Sequence, residues 1–303
     1  MTILILLRGN CGLSKCISVY MVAMATSDLL AIIIIAVVYR ILNYYFPLSF
    51  LSHTPVCLFI VYMTTITLDL SVWFTVSFTF DRFVMICCQE FKRKHCTKRT
   101  AITLLIIVSA LILLKNIPVL FAYEPEKIIQ NVQWGCKTSA TFLASPLGMT
   151  FVWFYSASVA WIPFLLIFVF NSLTVCRIFV ANRTRIGLQG HRNGNQSNSV
   201  GENRRKSVIL LFSVSISFIV LWLTYSLCLA ITRVSHPNYY RGDFANPEYI
   251  ATETGNILKL LSCFLNPCIY AATQNKFREA LLNVMKLIWK KPSEYVKKNK
   301  QSV

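Results

Sequence analysis

Six uninterrupted apolar runs, each about 20 residues or longer, dominate this 303-residue chain and leave it few folds to choose from. They cover approximately 17–42, 56–86, 100–123, 149–176, 207–232 and 249–273. A helix of that length crosses roughly 30 Å of hydrocarbon with every backbone N–H and C=O paired internally. Composition agrees, with 14% charged residues and a mean hydropathy of +0.57, whereas soluble domains carry about 25% charged residues. The runs do not alternate in polarity, which excludes a membrane β-barrel. High apolar content excludes disorder, and 11 Cys in 303 residues are too sparse for a secreted disulfide scaffold. No internal repeat is visible, which argues against an inverted-repeat transporter.

Residues 1–7, Met-Thr-Ile-Leu-Ile-Leu-Leu, are too short to span and lack the basic start and cleavage site of a signal peptide. The expectation is a sequence that begins inside a first helix whose outer half lies upstream. Orientation follows from the basic residues. The connections 8–16, 87–99, 177–206 and 272–303 hold 22 of the 30 Lys and Arg, against 4 acids. That face reads as cytoplasmic, and the formal charge of +18 belongs to it. Each basic run borders a span, so anionic inner-leaflet lipid and a cytosolic partner explain the charge, and nucleic acid does not. Six spans after a cytoplasmic loop place the complete protein's N-terminus outside and its C-terminus in the cytoplasm of a multi-pass plasma-membrane protein.

The expected fold is therefore an all-α membrane protein. Its seven-transmembrane helix bundle, with the first helix truncated, covers 1–273. An amphipathic membrane-surface helix follows over 274–289, where Phe277, Leu281, Val284 and Ile288 recur at helical spacing among Lys276, Arg278 and Lys286. A basic tail, 290–303, ends the chain. Residues 124–148 read as a long outer loop and 182–201 as a polar inner loop. The inner loop carries Asn182-Arg183-Thr184 and Asn195-Gln196-Ser197, glycosylation patterns that stay unmodified on the cytosolic side.

Most cysteines read as small apolar fillers. Cys57, opening a span on the outer face, and Cys136, in the outer loop, are the pair placed for an oxidised bridge. No His lies within a span, which argues against cysteine or histidine catalysis and against an enzyme. Charges inside spans cost roughly 2.5–3.5 kcal/mol each on insertion scales. They are Asp28, Asp69, Asp81, Arg82, Lys115 and Lys259. Arg82 beside Asp81 reads either as a guanidinium held in one state and released in another, or as a helix-end Arg that snorkels. Asn266-Pro267-Cys268-Ile269-Tyr270 breaks a backbone ladder next to an amide and a phenol.

Taken together, these elements resemble the rhodopsin-like, class A G-protein-coupled receptors over roughly residues 3–287. Asp81-Arg82-Phe83 matches the family's Asp-Arg-Tyr element, Asn266 to Tyr270 its Asn-Pro-x-x-Tyr element, and Cys57 with Cys136 its extracellular disulfide. Asp28 matches the acid of the second span, Pro163 the proline of the fifth, and Phe218 with Trp222 the aromatics of the sixth. More narrowly, Ser71-Val72-Trp73-Phe74-Thr75 and Asn203-Arg204-Arg205-Lys206-Ser207 resemble the orphan group named probable G-protein coupled receptor 139-like.

The resemblance implies a transducer that acts on heterotrimeric G proteins, with arrestin and receptor kinases as further partners. Arg82 would pass from Asp81 to the G protein as the sixth helix moves out, while Tyr270 moves inward around Pro267. Asp28, Ser71 and Asn266 match positions that hold a sodium ion in many members; a plain polar cluster is the alternative. No other cofactor is expected. The chain also departs from the pattern. Phe83 lacks a hydroxyl, Thr224 replaces the proline expected after Trp222, Asn171 replaces a tyrosine, and Arg204 stands where an acid would clasp Arg82.

Thr64, eighteen residues before Arg82, occupies the position where amine receptors carry an aspartate, so a biogenic amine loses its anchor. Lys259 is eight residues before Pro267 rather than seven, about 100° around the helix from the retinal lysine of opsins. Two readings of Asp69 and Lys259 stay open. Either they form a direct ion pair, or Asp69 takes a ligand ammonium while Lys259 or Arg233 takes a carboxylate, with Trp222 and Tyr225 as aromatic walls. The second describes an aromatic amino acid or short peptide. From another class, a transporter or channel would line its path with Asp28, Asp69 and Lys259; a non-signalling relative is a further alternative.

Overall fold

The computed structural model describes residues 1–7, 14–42, 45–46, 49–87, 97–188, 198–235 and 245–286. Each of the six apolar runs lies on a helix. A short α1 (Thr2–Leu7) packs on α2 (Lys15–Ala31), which continues in wider π-type turns over Ile32–Leu42. Next come α3 (Thr54–Cys87) and α4 (Lys98–Lys115). Hydroxyl caps start two of these helices: the Ile17 N–H donates to Ser14 Oγ (3.3 Å) and the Thr100 N–H to Thr97 Oγ1 (3.2 Å). The fifth, α5, is built of Pro146–Ser156, a π-type segment Ala157–Trp161, and Ile162–Leu188. The widened turns sit just before Pro163, whose ring cannot donate to the ladder. Helices α6 (Asn198–Ser235) and α7 (Pro247–Thr273) follow, and α8 occupies 275–286.

Helix α3 is the hub, packed against α2, α4, α5 and α6, while α7 lies along α6 and closes onto α2. One apolar cluster joins Tyr20, Met21, Phe78, Leu210, Tyr270 and Phe277; a second joins Val72, Ile167, Phe218, Trp222 and Cys263. The outside is apolar too. Ile106, Leu111, Leu165 and Phe168 are all exposed, a surface that belongs in hydrocarbon. Among the described residues, five stretches are long and apolar enough to cross a membrane: Lys15–Arg40, Thr54–Cys87, Lys98–Phe121, Pro146–Val180 and Val208–Leu227. The remaining run, α7, carries Glu253, Asn256, Lys259, Ser262 and Asn266, and these side chains face the bundle's polar interior.

Residues 124–148 are more ordered than a loop. Tyr123–Glu124 pairs with Lys137–Thr138, and inside that ladder Lys127–Ile129 pairs with Val132–Trp134. Gln130 and Asn131, at φ 51° and 60°, make the two-residue turn whose twist suits a hairpin. The hairpin is fastened to the start of α3. Cys57 and Cys136 form a disulfide, the Gly135 N–H donates to Ser52 O (2.7 Å), and Thr54 Oγ1 donates to Gly135 O (2.9 Å). Gly135 sits at φ +68°, and a Cβ there would meet Glu126 at 2.8 Å, so the anchor needs glycine.

In α8, Phe277 is buried with its ring 6.1 Å from that of Tyr270, Leu281 and Val284 are partly buried, and Lys276, Arg278 and Lys286 are exposed. Ile288, the tail 290–303 and Asn195-Gln196-Ser197 lie outside the described residues, as do the side chains of Asn182, Arg204 and Arg233.

Candidate functional site

Three helices converge on Asp28. Its carboxylate is 3% exposed, accepting from Ser71 Oγ on α3 at Oδ1 (2.6 Å) and from Asn266 Nδ2 on α7 at Oδ2 (2.7 Å). A carboxylate taken out of water needs such donors. The three residues that the sequence matched to a cation site are thus contiguous. A carboxylate, a hydroxyl and an amide in one cluster are hard donors that suit a small monovalent cation.

About three turns further along α3 lies the charged pair. Arg82 and Asp81 form a buried salt bridge, and Cys16 on α2 donates its thiol to Asp81 Oδ1 (3.3 Å). Arg82 Cζ lies 5.8 Å from the Phe78 ring centroid, while its Nε has no hydrogen-bond partner. The neighbouring Phe83 stacks on Phe170 of α5 (5.5 Å), and Phe80 meets the same ring at 5.3 Å. An apolar stack therefore replaces whatever a tyrosine hydroxyl would do there. Asn171, beside Phe170, keeps a buried Oδ1 without a partner. Tyr270 is buried with its hydroxyl 4.0 Å from Met24 Sδ.

On the other side of Asp28, Trp222 donates Nε1–H to Ser262 Oγ (3.1 Å) and stacks on Phe218 (5.4 Å), which meets Phe164 (5.8 Å) next to Pro163. Tyr225 stands edge-on to Trp222 at 5.9 Å. In α6, Ser226 Oγ donates to Trp222 O (2.7 Å), across the position where Thr224 stands in place of the expected proline. Thr64 Oγ1 is buried without a hydrogen bond.

The direct pairing of Asp69 with Lys259 is overturned. Asp69, 0% exposed, binds Lys115 of α4 (Nζ to Oδ2, 2.7 Å) and accepts from Asn116 Nδ2 (2.7 Å). Lys115 also reaches Ser158 Oγ (2.9 Å), and Trp73 Nε1–H donates to Ser158 O (3.1 Å), so the node ties α3, α4 and α5 together. In this structure the charge of Asp69 is already met by the Lys115 ammonium. Lys259 is different. Its Nζ donates to Asn256 Oδ1 (3.0 Å) and lies 4.0 Å from the Tyr225 ring centroid. Among the described residues no carboxylate pairs with it.

Two groups were not foreseen. Arg40 of α2 pairs with Glu253 of α7, one turn and a half above Lys259, and Cys16 engages Asp81. For Lys115 a signal was present: depth counted from the same end of each helix puts Asp69 about 27 Å from Cys87 and Lys115 about 26 Å from Lys98. The two were thus near one level. Cys16 offered no such signal.

Residues 1–270 match the family described as 7 transmembrane receptor (rhodopsin family). The chain is 23% identical over 279 residues to G-protein coupled receptor 182 of Mus musculus, and equally to that of Rattus norvegicus. Each alignment covers 89% of this chain and 63% of the relative, so the chain spans less than two thirds of their length. Neither relative bears the name of the narrower group suggested by residues 71–75 and 203–207.

Proposed function

Because the chain belongs to the rhodopsin family of seven-transmembrane receptors, we propose that it converts binding of a small extracellular ligand into activation of a heterotrimeric G protein at the plasma membrane. Arrestin and receptor kinases are the partners expected after activation. The observation that carries this reading is the buried Asp81–Arg82 pair lying at one end of a polar axis through Asp28, Asn266 and Ser262 to Lys259. An arginine held by its neighbour is an off-state charge that a helix movement can release. Its end of the bundle faces the cytoplasm by the distribution of Lys and Arg.

Ligand entry lies at the disulfide end, between α3, α6 and α7. Lys259 takes the carboxylate of an aromatic amino acid or of a short peptide, Tyr225 and Trp222 form the aromatic walls, and the unpaired Thr64 hydroxyl accepts from a ligand donor. The stacked Trp222, Phe218 and Phe164 then transmit the shift to α5 and α6. Asp28, Ser71 and Asn266 would hold a sodium ion, whose positive charge would stabilise the ionised carboxylate and the inward packing of α7.

The test is energy-transfer measurement of G-protein dissociation in intact cells across the major Gα classes, with the natural full-length protein and its Arg82→Ala variant. A signal lost in Arg82→Ala supports the reading. An undiminished signal at equal surface expression overturns it.

A further inference from the structure

Helices α2 and α4 begin at the same end of the bundle, and between them, edged by α1, runs a groove of about 890 Å³. Its floor and walls are apolar: α2 contributes Val19, Val22 and Ala23, and α4 contributes Ile102, Ile106 and Ala110. Along α4 the lining extends to Leu113, fifteen residues from the first, so the groove is about 22 Å long. That is most of the way across the hydrocarbon core. Among the described lining residues the charges lie at one end, which carries Lys15 and Lys98, the first residues of α2 and α4, both exposed. This is also the end that bears the switch, because Cys16, next to Lys15, bonds Asp81.

We propose that this groove is a binding site for one anionic glycerophospholipid, its phosphate between Lys15 and Lys98 and an acyl chain along the α2–α4 furrow. Each part of the lipid meets its counterpart. Two ammonium groups, with no acid among the described lining residues, attract a negative headgroup at the membrane surface, where each basic residue contributes about fivefold in binding. The chain covers apolar side chains that open toward the bilayer, with dispersion contacts that free lipid in a fluid leaflet makes only transiently. A sterol would fill the furrow but leave both lysines without an anion. A second copy of the chain would bring its own lysines to the same place and repel. The occupied groove would brace the α2 start against α4, and with it the Cys16 contact to Asp81.

Native mass spectrometry of the purified full-length receptor, equilibrated with equal phosphatidylcholine and phosphatidylserine, tests this. The receptor should retain one phosphatidylserine in clear preference to phosphatidylcholine. Lys15→Gln and Lys98→Gln should each weaken that preference roughly fivefold, and Ala110→Trp should abolish retention of either lipid by filling the furrow. Leu111→Trp, on the neighbouring lipid-facing position outside the groove, should retain the lipid as the parent does, and circular dichroism melting of all four variants reports their folding. Equal retention of the two lipids, a preference unchanged in both lysine variants, retention surviving Ala110→Trp in a folded receptor, or receptor dimers in place of lipid adducts would each overturn the proposal.

Discussion

Lys115 Nζ lies 2.7 Å from Asp69 Oδ2, and that contact gives the two intramembrane acids of the upper and middle bundle different tasks. Asp69 is neutralised by a cation from α4 and fixes three helices. Asp28 instead meets neutral donors, among them Ser71 and Asn266, and is the acid that the proposed function assigns to a sodium ion. Lys259 has no carboxylate partner among the described residues, and the proposed function assigns it to a ligand carboxylate for that reason.

Breaking the Asp69 node removes one half of a buried pair. Asp69→Asn or Lys115→Met should each destabilise the receptor by about 3–5 kcal/mol, read as reduced surface expression and a lower melting temperature. The double variant Asp69→Leu/Lys115→Leu should recover much of the loss, since no charge is then stranded. Wild-type expression of both single variants would contradict a structural role.

The switch makes opposite predictions for its two residues. Asp81→Asn should raise ligand-free G-protein dissociation by releasing Arg82, whereas Arg82→Ala should remove it. Cys16→Ala deletes a weak thiol donor worth about 1 kcal/mol or less, so its basal signal should rise only slightly above that of the parent. Identical basal signals in Asp81→Asn and the parent would show that the pair does not hold the off state.

At the ligand end, Lys259→Met should weaken the response to aromatic carboxylates by roughly 10- to 100-fold, the value of a charge-assisted hydrogen bond of about 1.5–3 kcal/mol. Tryptamine, which has the ring without the carboxylate, should be weaker than tryptophan on the parent by at least the same factor. Dose–response curves for tryptophan, phenylalanine and tryptamine measure both effects, and a tryptamine as potent as tryptophan would remove Lys259 from the site.

Cation dependence tests Asp28. Replacing choline by sodium in the buffer should raise the melting temperature of the purified receptor, and Asp28→Asn should make the two buffers equivalent. A sodium effect that persists in Asp28→Asn would assign the ion elsewhere.

The outer hairpin depends on its covalent tether. Cys136→Ser should cost about 2–5 kcal/mol and free the hairpin from α3, lowering surface expression and any ligand response together. Gly135→Ala should act in the same direction, because its positive φ and the nearby Glu126 leave no room for a methyl group.

The amino-acid order by itself determined the helices and, through the oxidising outer side, the disulfide partners, whereas the grouping of Ser71 and Asn266 with Asp28 was implied by the family resemblance. Long apolar runs have one low-energy form in lipid, and the polar residues within them must face one another. It also specified the buried side of α8, through the spacing of Phe277, Leu281 and Val284. Periodicity does not say which helix faces which charge, and so the sequence leaves Asp69 open between a pair with Lys259 and a ligand, while the neighbour across the α3–α4 interface is Lys115. The hairpin at 123–138 was hidden for another reason: its Gln130-Asn131 turn lacks the glycine that usually marks such a bend. Only the tertiary structure decided these matters, along with Cys16 against Asp81 and Arg40 against Glu253. Rotation and depth of packed helices bring together side chains far apart in sequence, and both are set by the whole core.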